Sequence, residues 1–142
     1  MIADHLRSLT KEAGGEQAEW PEKVRAKIAV TLEFFSSNPD LARFSLIAPS
    51  RAGDKIAARY RQGLERSHAA IVEGMPAEIA ERAPSQAVQL SLIGGMAALV
   101  INKVDRGEGE RLHELLPELL ELFLGPYLGQ EEAGRIARGA RS

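Results

Sequence analysis

The sequence predicts an all-α protein of about six helices. Apolar residues recur at helical spacing along most of the chain, and Pro and Gly fall where one run ends and the next begins. No segment alternates apolar and polar residues for long, and no Asn-Gly or Asp-Gly hairpin turn occurs. With 142 residues, 44% of them hydrophobic, the chain can bury a substantial core as one domain.

Composition excludes several classes of protein. The absence of cysteine rules out disulfides, thiolate metal sites and cysteine nucleophiles, and it fits a reducing, cytoplasmic setting. A formal net charge of -2 argues against a free-standing nucleic-acid-binding protein. The apolar stretch from Ala83 to Asn102 approaches the length of a membrane span. Its Gln and Ser side chains favour the buried helix of a soluble protein, so no membrane partner is expected.

Three helices are predicted in the first third of the chain. The first, Ile2 to about Glu12, begins without a capping residue, as if it continued a longer helix. The second, about Pro21 to Ser37, opens on a proline that suits the first helical position. The third runs from Pro39 to Ala48.

Three more helices are predicted in the rest of the chain. The fourth runs from about Arg51 to Glu73, and Ala77 to Arg82 then forms a connector of about one helical turn. The fifth, Pro84 to about Val104, is apolar almost all round, so neighbours must cover it on several sides. The sixth runs from about Pro117 to Leu128, with Arg111 to Leu116 as a lead-in turn.

The fifth helix carries a stripe of small side chains, formed by Ser91, Gly94, Gly95 and Ala98. A glycine inside a helix costs about 1 kcal/mol relative to alanine, so two in a row suggest a close helix crossing. That crossing could lie inside the core or between two subunits, and packing logic alone leaves both open.

Polar residues on the apolar stripes indicate a binding cavity. Thr31, Tyr60, Ser67 and Gln89 lie on the inner faces of the second, fourth and fifth predicted helices. A mostly apolar cavity with a few convergent polar groups is typical of a small-molecule site, although each residue alone is more often a satisfied core group.

Two Glu-x-x-His motifs raise the alternative of a di-metal centre. They are Glu65 with His68 and Glu110 with His113, and a di-iron bundle needs a further Glu from each of two other helices. The fifth helix has no Glu, so the ligand set is incomplete. No Gly-x-Ser-x-Gly or phosphate-binding loop occurs either. We therefore expect no catalytic residues, no metal, no cofactor and no enzymatic activity.

The order of several segments resembles the C-terminal domain of TetR-family transcriptional regulators. The resemblance rests on Trp20-Pro21, Thr31 to Phe35, Asn38 to Arg43, Leu115 to Leu120 and Gly125 to Gly129. It implies an orthogonal helical bundle that binds an effector and dimerises. In such domains the first helices enclose a small hydrophobic effector. The last two long helices pair with those of a second subunit as a four-helix bundle.

The resemblance also implies a domain organisation. Residues 1–15 would be the end of the inter-domain linking helix, residues 16–129 the effector-binding and dimerisation domain, and residues 130–142 a polar, frayed tail. The family's DNA-binding helix-turn-helix is not found in this chain, so the chain alone is expected to bind no nucleic acid. Operator DNA would be a partner only of a protein that includes such a domain.

The faces on which residues lie in the predicted helices, combined with this resemblance, assign residues to two sites. The predicted ligand-binding residues are Thr31, Phe35, Phe44, Ile47, Tyr60, Leu64, Gln89, Ile93 and Met96. The predicted homodimer contacts are Ser91, Gly94, Gly95, Ala98, Leu116, Leu120 and Phe123.

Two other functions remain as alternatives at this stage. One is an enzyme that uses a helical-bundle cavity, with or without two metal ions, which stoichiometric iron or manganese in the purified chain would favour. The other is a dimerisation module with a filled core, which a co-purified ligand would exclude.

Overall fold

All the regular structure described in this protein is helical. The computed structural model describes residues 19–42 and 54–139, and every regular element within them is a helix. The all-α prediction is confirmed for that part of the chain. The helix predicted from Ile2 to Glu12 lies outside the described residues.

The first described helix, α1, spans Trp20–Ser37 and starts one residue before the predicted boundary, with Pro21 in its first turn. A short helix, α2, follows at Pro39–Ala42. The remainder of the third predicted helix, to Ala48, falls outside the described residues. The inner face of α1 consists of apolar residues at helical spacing: Trp20, Val24, Ile28, Leu32 and Phe35.

The middle of the chain follows the predicted order of elements. Helix α3 spans Asp54–Val72, the one-turn helix α4 spans Ala77–Glu81, and α5 spans Gln86–Asp105. Gly74, with a φ of 83°, reverses the chain after α3 in a conformation that glycine adopts without strain. The hydroxyl of Ser85 caps α5 by accepting a hydrogen bond from the backbone N–H of Val88.

The predicted lead-in turn is a 3₁₀ helix at Gly109–Leu115, which continues directly into α6, Leu116–Leu128. The 3₁₀ helix packs against α1, and the Ser36 hydroxyl donates to the Glu110 carbonyl at 2.5 Å. The approach is close, since a Cβ at Gly109 would lie 3.1 Å from Pro39 Cβ.

The predicted frayed tail is an ordered helix over most of its length, which corrects the sequence prediction. Helix α7 spans Gln130–Gly139 and pairs with α6 more extensively than any other two described elements pair. Its segment is polar on average, but its few apolar and small residues share one face and are buried. These residues are Ala133, Gly134, Ile136 and Ala137.

Helix α6 forms the centre of the core. It contacts α1, α4, α5 and α7, and its inward side chains, together with one from the 3₁₀ helix, are at most 1% exposed. They are Leu112, Leu119, Leu120, Phe123, Leu124 and Tyr127.

Helix α5 differs from the prediction of a buried helix. By length and composition it could span a membrane, and only 28% of its most apolar 18-residue window is buried inside the fold. Its inner face packs against α3, α6 and the 3₁₀ helix. Its outer face has no cover from the rest of the described chain.

Candidate functional site

The predicted apolar ligand residues lie in or beside the core. Phe35, Ile93 and Met96 are buried, and Leu64 is half-buried against them. Phe44 and Ile47 lie outside the described residues, as does the side chain of Tyr60. The described apolar residues of the predicted pocket therefore belong to one core cluster or pack against it.

The Thr31 hydroxyl makes a hydrogen bond within α1. Its hydroxyl donates to the Lys27 carbonyl one turn earlier, at 2.8 Å, and the side chain is half-buried. The hydroxyl hydrogen is therefore already engaged, although the oxygen can still accept a bond from elsewhere.

Three polar side chains, one each from α3, α5 and α6, lie close to one another. His68 Nε2 lies 3.3 Å from the Tyr127 hydroxyl, and Gln89 is close enough to His68 to affect its pKa. Gln89 Nε2 donates to the Pro84 carbonyl at 2.6 Å. We call His68, Gln89 and Tyr127 the polar cluster.

Sequence reasoning identified Gln89 but missed the other two members of the polar cluster. His68 follows Leu64 by four residues and precedes Ile71 by three, so it shares their inward face. Tyr127 lies among the buried apolar residues of α6, so its spacing predicts burial but not a polar partner. The helical spacing of His68 was the available signal for its position.

Burial keeps the polar cluster uncharged near neutral pH. Burial lowers the pKa of the His68 imidazole, and Gln89, acting as a hydrogen-bond acceptor, opposes that effect only in part. Burial also raises the pKa of the Tyr127 hydroxyl.

Trp20 adds an unsatisfied donor next to the polar cluster. Its side chain is 2% exposed, and its indole Nε1 has no hydrogen-bond partner within the part of the chain that the structure describes. The indole packs edge to face on the Tyr127 ring, with the ring centroids 5.6 Å apart and the planes at 65°. A buried indole N–H usually has a partner, so this donor calls for an explanation.

Lys27 connects α1 to α3 by a hydrogen bond. Its Nζ donates to the Ala70 carbonyl at 2.7 Å, near the C-terminal end of α3. Burial lowers the pKa of Lys27, partly offset by the charge of Glu73.

Two surface depressions lie away from the predicted ligand residues. One, of about 440 Å³, is lined by residues 128–132 with Arg135 and Arg138 at the turn into α7. The other, of about 220 Å³, lies on α3 beside Arg66, Ala69, Ala70 and Glu73. Neither includes a residue of the predicted pocket.

Four predicted dimer contacts lie on α5 and remain accessible there. Ser91 and Ala98 are exposed, and Gly94 and Gly95 are partly exposed. A Cβ at Gly94 would have no neighbour within 4 Å, and one at Gly95 would make only an ordinary contact with Leu122, at 3.6 Å. Within residues 19–42 and 54–139, no close crossing therefore requires either glycine.

Two predicted dimer contacts on α6 need correction. Leu120 and Phe123 are fully buried inside this chain, so they have no side-chain surface to offer a second subunit. The elements around α6, including α7, already cover Leu120 and Phe123. Leu116, the third predicted contact on α6, is only partly buried.

The two Glu-x-x-His motifs are not drawn together. Glu65, Glu110 and His113 are exposed, whereas His68 faces inward. Within residues 19–42 and 54–139, no three acidic or histidine side chains cluster in a way that could hold a metal ion.

No protein-family model, curated protein or solved structure matches the chain. The resemblance to the TetR family therefore rests on the sequence segments quoted above.

Proposed function

We propose that this chain is the effector-binding and dimerisation domain of a TetR-type transcriptional regulator, with no catalytic activity of its own. Two copies would associate through α5 and α6 as a four-helix bundle. A small, largely apolar effector would bind among α1, α3 and α5. Effector binding would favour one placement of the helices, and a DNA-binding domain joined to this chain would respond to it.

The outer face of α5 is the observation that carries this proposal. Val88 and Leu99, which are 41% and 37% exposed, are the exposed large hydrophobic residues of the described chain. Both lie on the outer face of α5, where apolar surface is left in water. Such a surface favours association with a partner.

The spacing on this face suits a helix partner. Its residues follow one another at alternating steps of three and four, which is the seam of a left-handed helix pair. We call these residues the α5 seam: Val88, Ser91, Gly95, Ala98 and Asn102.

The α5 seam can be buried at little cost in unpaired polar groups. The Ser91 hydroxyl already donates to the Ala87 carbonyl at 2.8 Å, and Gly95 and Ala98 leave room for a second backbone. Asn102, at the end of the seam, can pair with its own copy across a two-fold axis. A second copy of this chain is therefore the occupant that the seam fits.

Helix α6 extends the same surface. Leu122 is partly buried and lies beside Gly95, so a partner on the α5 seam also reaches α6. The proposed four-helix bundle would thus use the outer edge of α6, whereas Leu120 and Phe123 stay in the core.

Effector binding is proposed on a second set of contacts. Phe35, Leu64, Ile93 and Met96 supply apolar surface in or against the core, and His68 and Gln89 of the polar cluster lie on α3 and α5 with the last three of them. All the described side chains of α3 are at most half-buried. Helix α3 is therefore the wall that can move to admit a ligand.

The experiment is a change of oligomeric state by Gly95→Leu. We expect the unmodified chain to sediment as a dimer and the variant as a monomer, because the leucine side chain would fill the space that the partner backbone needs. Sedimentation-velocity centrifugation over a range of protein concentrations measures the shift.

Gly63→Leu is the matched control. Gly63 is an exposed helical glycine on α3, and a Cβ there also meets nothing within 4 Å. This variant should remain dimeric. A monomeric unmodified chain, or a dimer that Gly95→Leu leaves intact, would contradict the proposed interface.

A further inference from the structure

Trp20 points to the chemistry of the ligand. Its indole N–H is buried and has no hydrogen-bond partner among the described residues, whereas His68 pairs with Tyr127 and Gln89 donates to the Pro84 carbonyl. The unmet requirement at this place is therefore for a hydrogen-bond acceptor. Leaving a buried donor unpaired is costly, so an arriving acceptor would gain a bond without breaking one.

The surroundings favour an uncharged acceptor. Trp20, Gln89 and Tyr127 carry no charge, and burial lowers the His68 pKa so that the imidazole is neutral at pH 7. A carboxylate bound here would lose its hydration without a cation in this cluster to replace it. A carbonyl or ether oxygen would lose far less.

The proposed route to Trp20 passes α3. The inward residues of α3, Leu64, His68, Ile71 and Val72, are all half-buried. The structure shows a polar contact between α3 and α6, the 3.3 Å contact between His68 and Tyr127. Admission of a ligand to the Trp20–Tyr127 contact would require a displacement of α3 that breaks this contact.

We propose that the effector is an uncharged apolar molecule with a carbonyl or ether oxygen that accepts a hydrogen bond from the indole N–H of Trp20. This inference rests on the proposed effector-binding function and names the ligand class for that site. The polar cluster orients the oxygen indirectly, because its own hydrogen bonds hold the Tyr127 ring against the indole.

The test uses the fact that Trp20 is the only tryptophan of the chain. In a ¹⁵N-labelled sample it gives a single indole N–H signal. Acetophenone and ethylbenzene are the two probes, since they have similar size and shape and differ by the carbonyl oxygen. Acetophenone should move the indole proton downfield in a saturable way, and ethylbenzene should not.

Trp20→Phe supplies the second readout. Ligand-observed NMR gives the affinity of each probe for the variant and for the unmodified chain. Loss of one neutral hydrogen bond should weaken acetophenone by about three- to tenfold relative to ethylbenzene. If this variant does not fold, the downfield shift in the unmodified chain still decides the question.

The outcomes separate this inference from the proposed function. Saturable binding of both probes without a selective indole shift would overturn the acceptor, while effector binding would stand. No perturbation of the indole by acetophenone or by larger aryl ketones would also overturn it. The absence of any indole perturbation is the result expected if the indole N–H makes only a weak π contact with the Tyr127 ring. Dimerisation is decided separately by Gly95→Leu.

Discussion

Helices α5 and α6 are both strongly apolar, yet the fold treats them differently. The core side chains of α6 are at most 1% exposed, because neighbouring elements cover it on several sides. Helix α5 keeps Val88 and Leu99 in solvent on its outer face. The comparison shows that an apolar helix needs something packed against its apolar surface. Whether that is the rest of the same chain or a partner depends on which elements lie beside the helix.

Helix α7 creates this difference. Without it, the wide apolar face of α6 would also lack part of its cover, and both helices would be available to a partner. With Ala133, Ile136 and Ala137 buried against α6, α5 is the helix of the described chain that keeps exposed large hydrophobic residues. Matched substitutions on the two helices therefore test whether α5 and α6 differ in how far they are covered.

The largest expected effect is at the centre of α6. Phe123→Ala removes a fully buried ring, packed on Tyr127 at a centroid distance of 5.1 Å. We expect a loss of about 3–5 kcal/mol in the free energy of unfolding, measured by urea denaturation.

Leu99→Ala is the matched change on α5. It should cost about 1 kcal/mol or less at low protein concentration, because Leu99 is already 37% exposed. Its main effect should be a weaker dimer. Equal losses of stability for Phe123→Ala and Leu99→Ala at low concentration would show that the two helices are covered alike.

A smaller effect is expected for the helix that covers α6. Ile136→Ala should cost about 2–3 kcal/mol in the free energy of unfolding, because Ile136 is 7% exposed and lies near a chain end. The neighbouring substitution Arg135→Ala removes an exposed pair with Glu132 and should change the urea midpoint little. Equal midpoints for Ile136→Ala and the unmodified chain would mean that α7 adds no cover to α6.

The smallest effect concerns the contact between α3 and α6. Because burial lowers the pKa of His68, the unfolded chain takes up a proton there before the folded chain does. The free energy of unfolding should therefore fall as the pH drops below the ordinary histidine pKa of about 6.5. Urea midpoints measured from pH 7.5 to pH 5.5 follow this change.

His68→Gln should lose part of that pH dependence. His113→Gln, at an exposed position of the 3₁₀ helix, is the control and should keep it. A pH profile that His68→Gln leaves unchanged would place the source of the dependence at other groups.

The candidate site was only partly accessible from the sequence. Helical spacing placed Phe35, Ile93 and Met96 on inward faces, and the structure confirms their burial. The Trp20–Tyr127 contact joins residues more than one hundred positions apart in the chain. Periodicity reports which way a residue faces on its own helix, but not which residue of another helix it meets.

The helical class, the order of the helices and most of their boundaries can be predicted from local sequence alone. They follow from proline and glycine at helix ends and from apolar spacing along each face. The helical state of α7, its packing on α6 and the open side of α5 depend instead on contacts between distant parts of the chain. A short, polar segment such as α7 has little helical stability alone and becomes helical by packing its small apolar face on a neighbour.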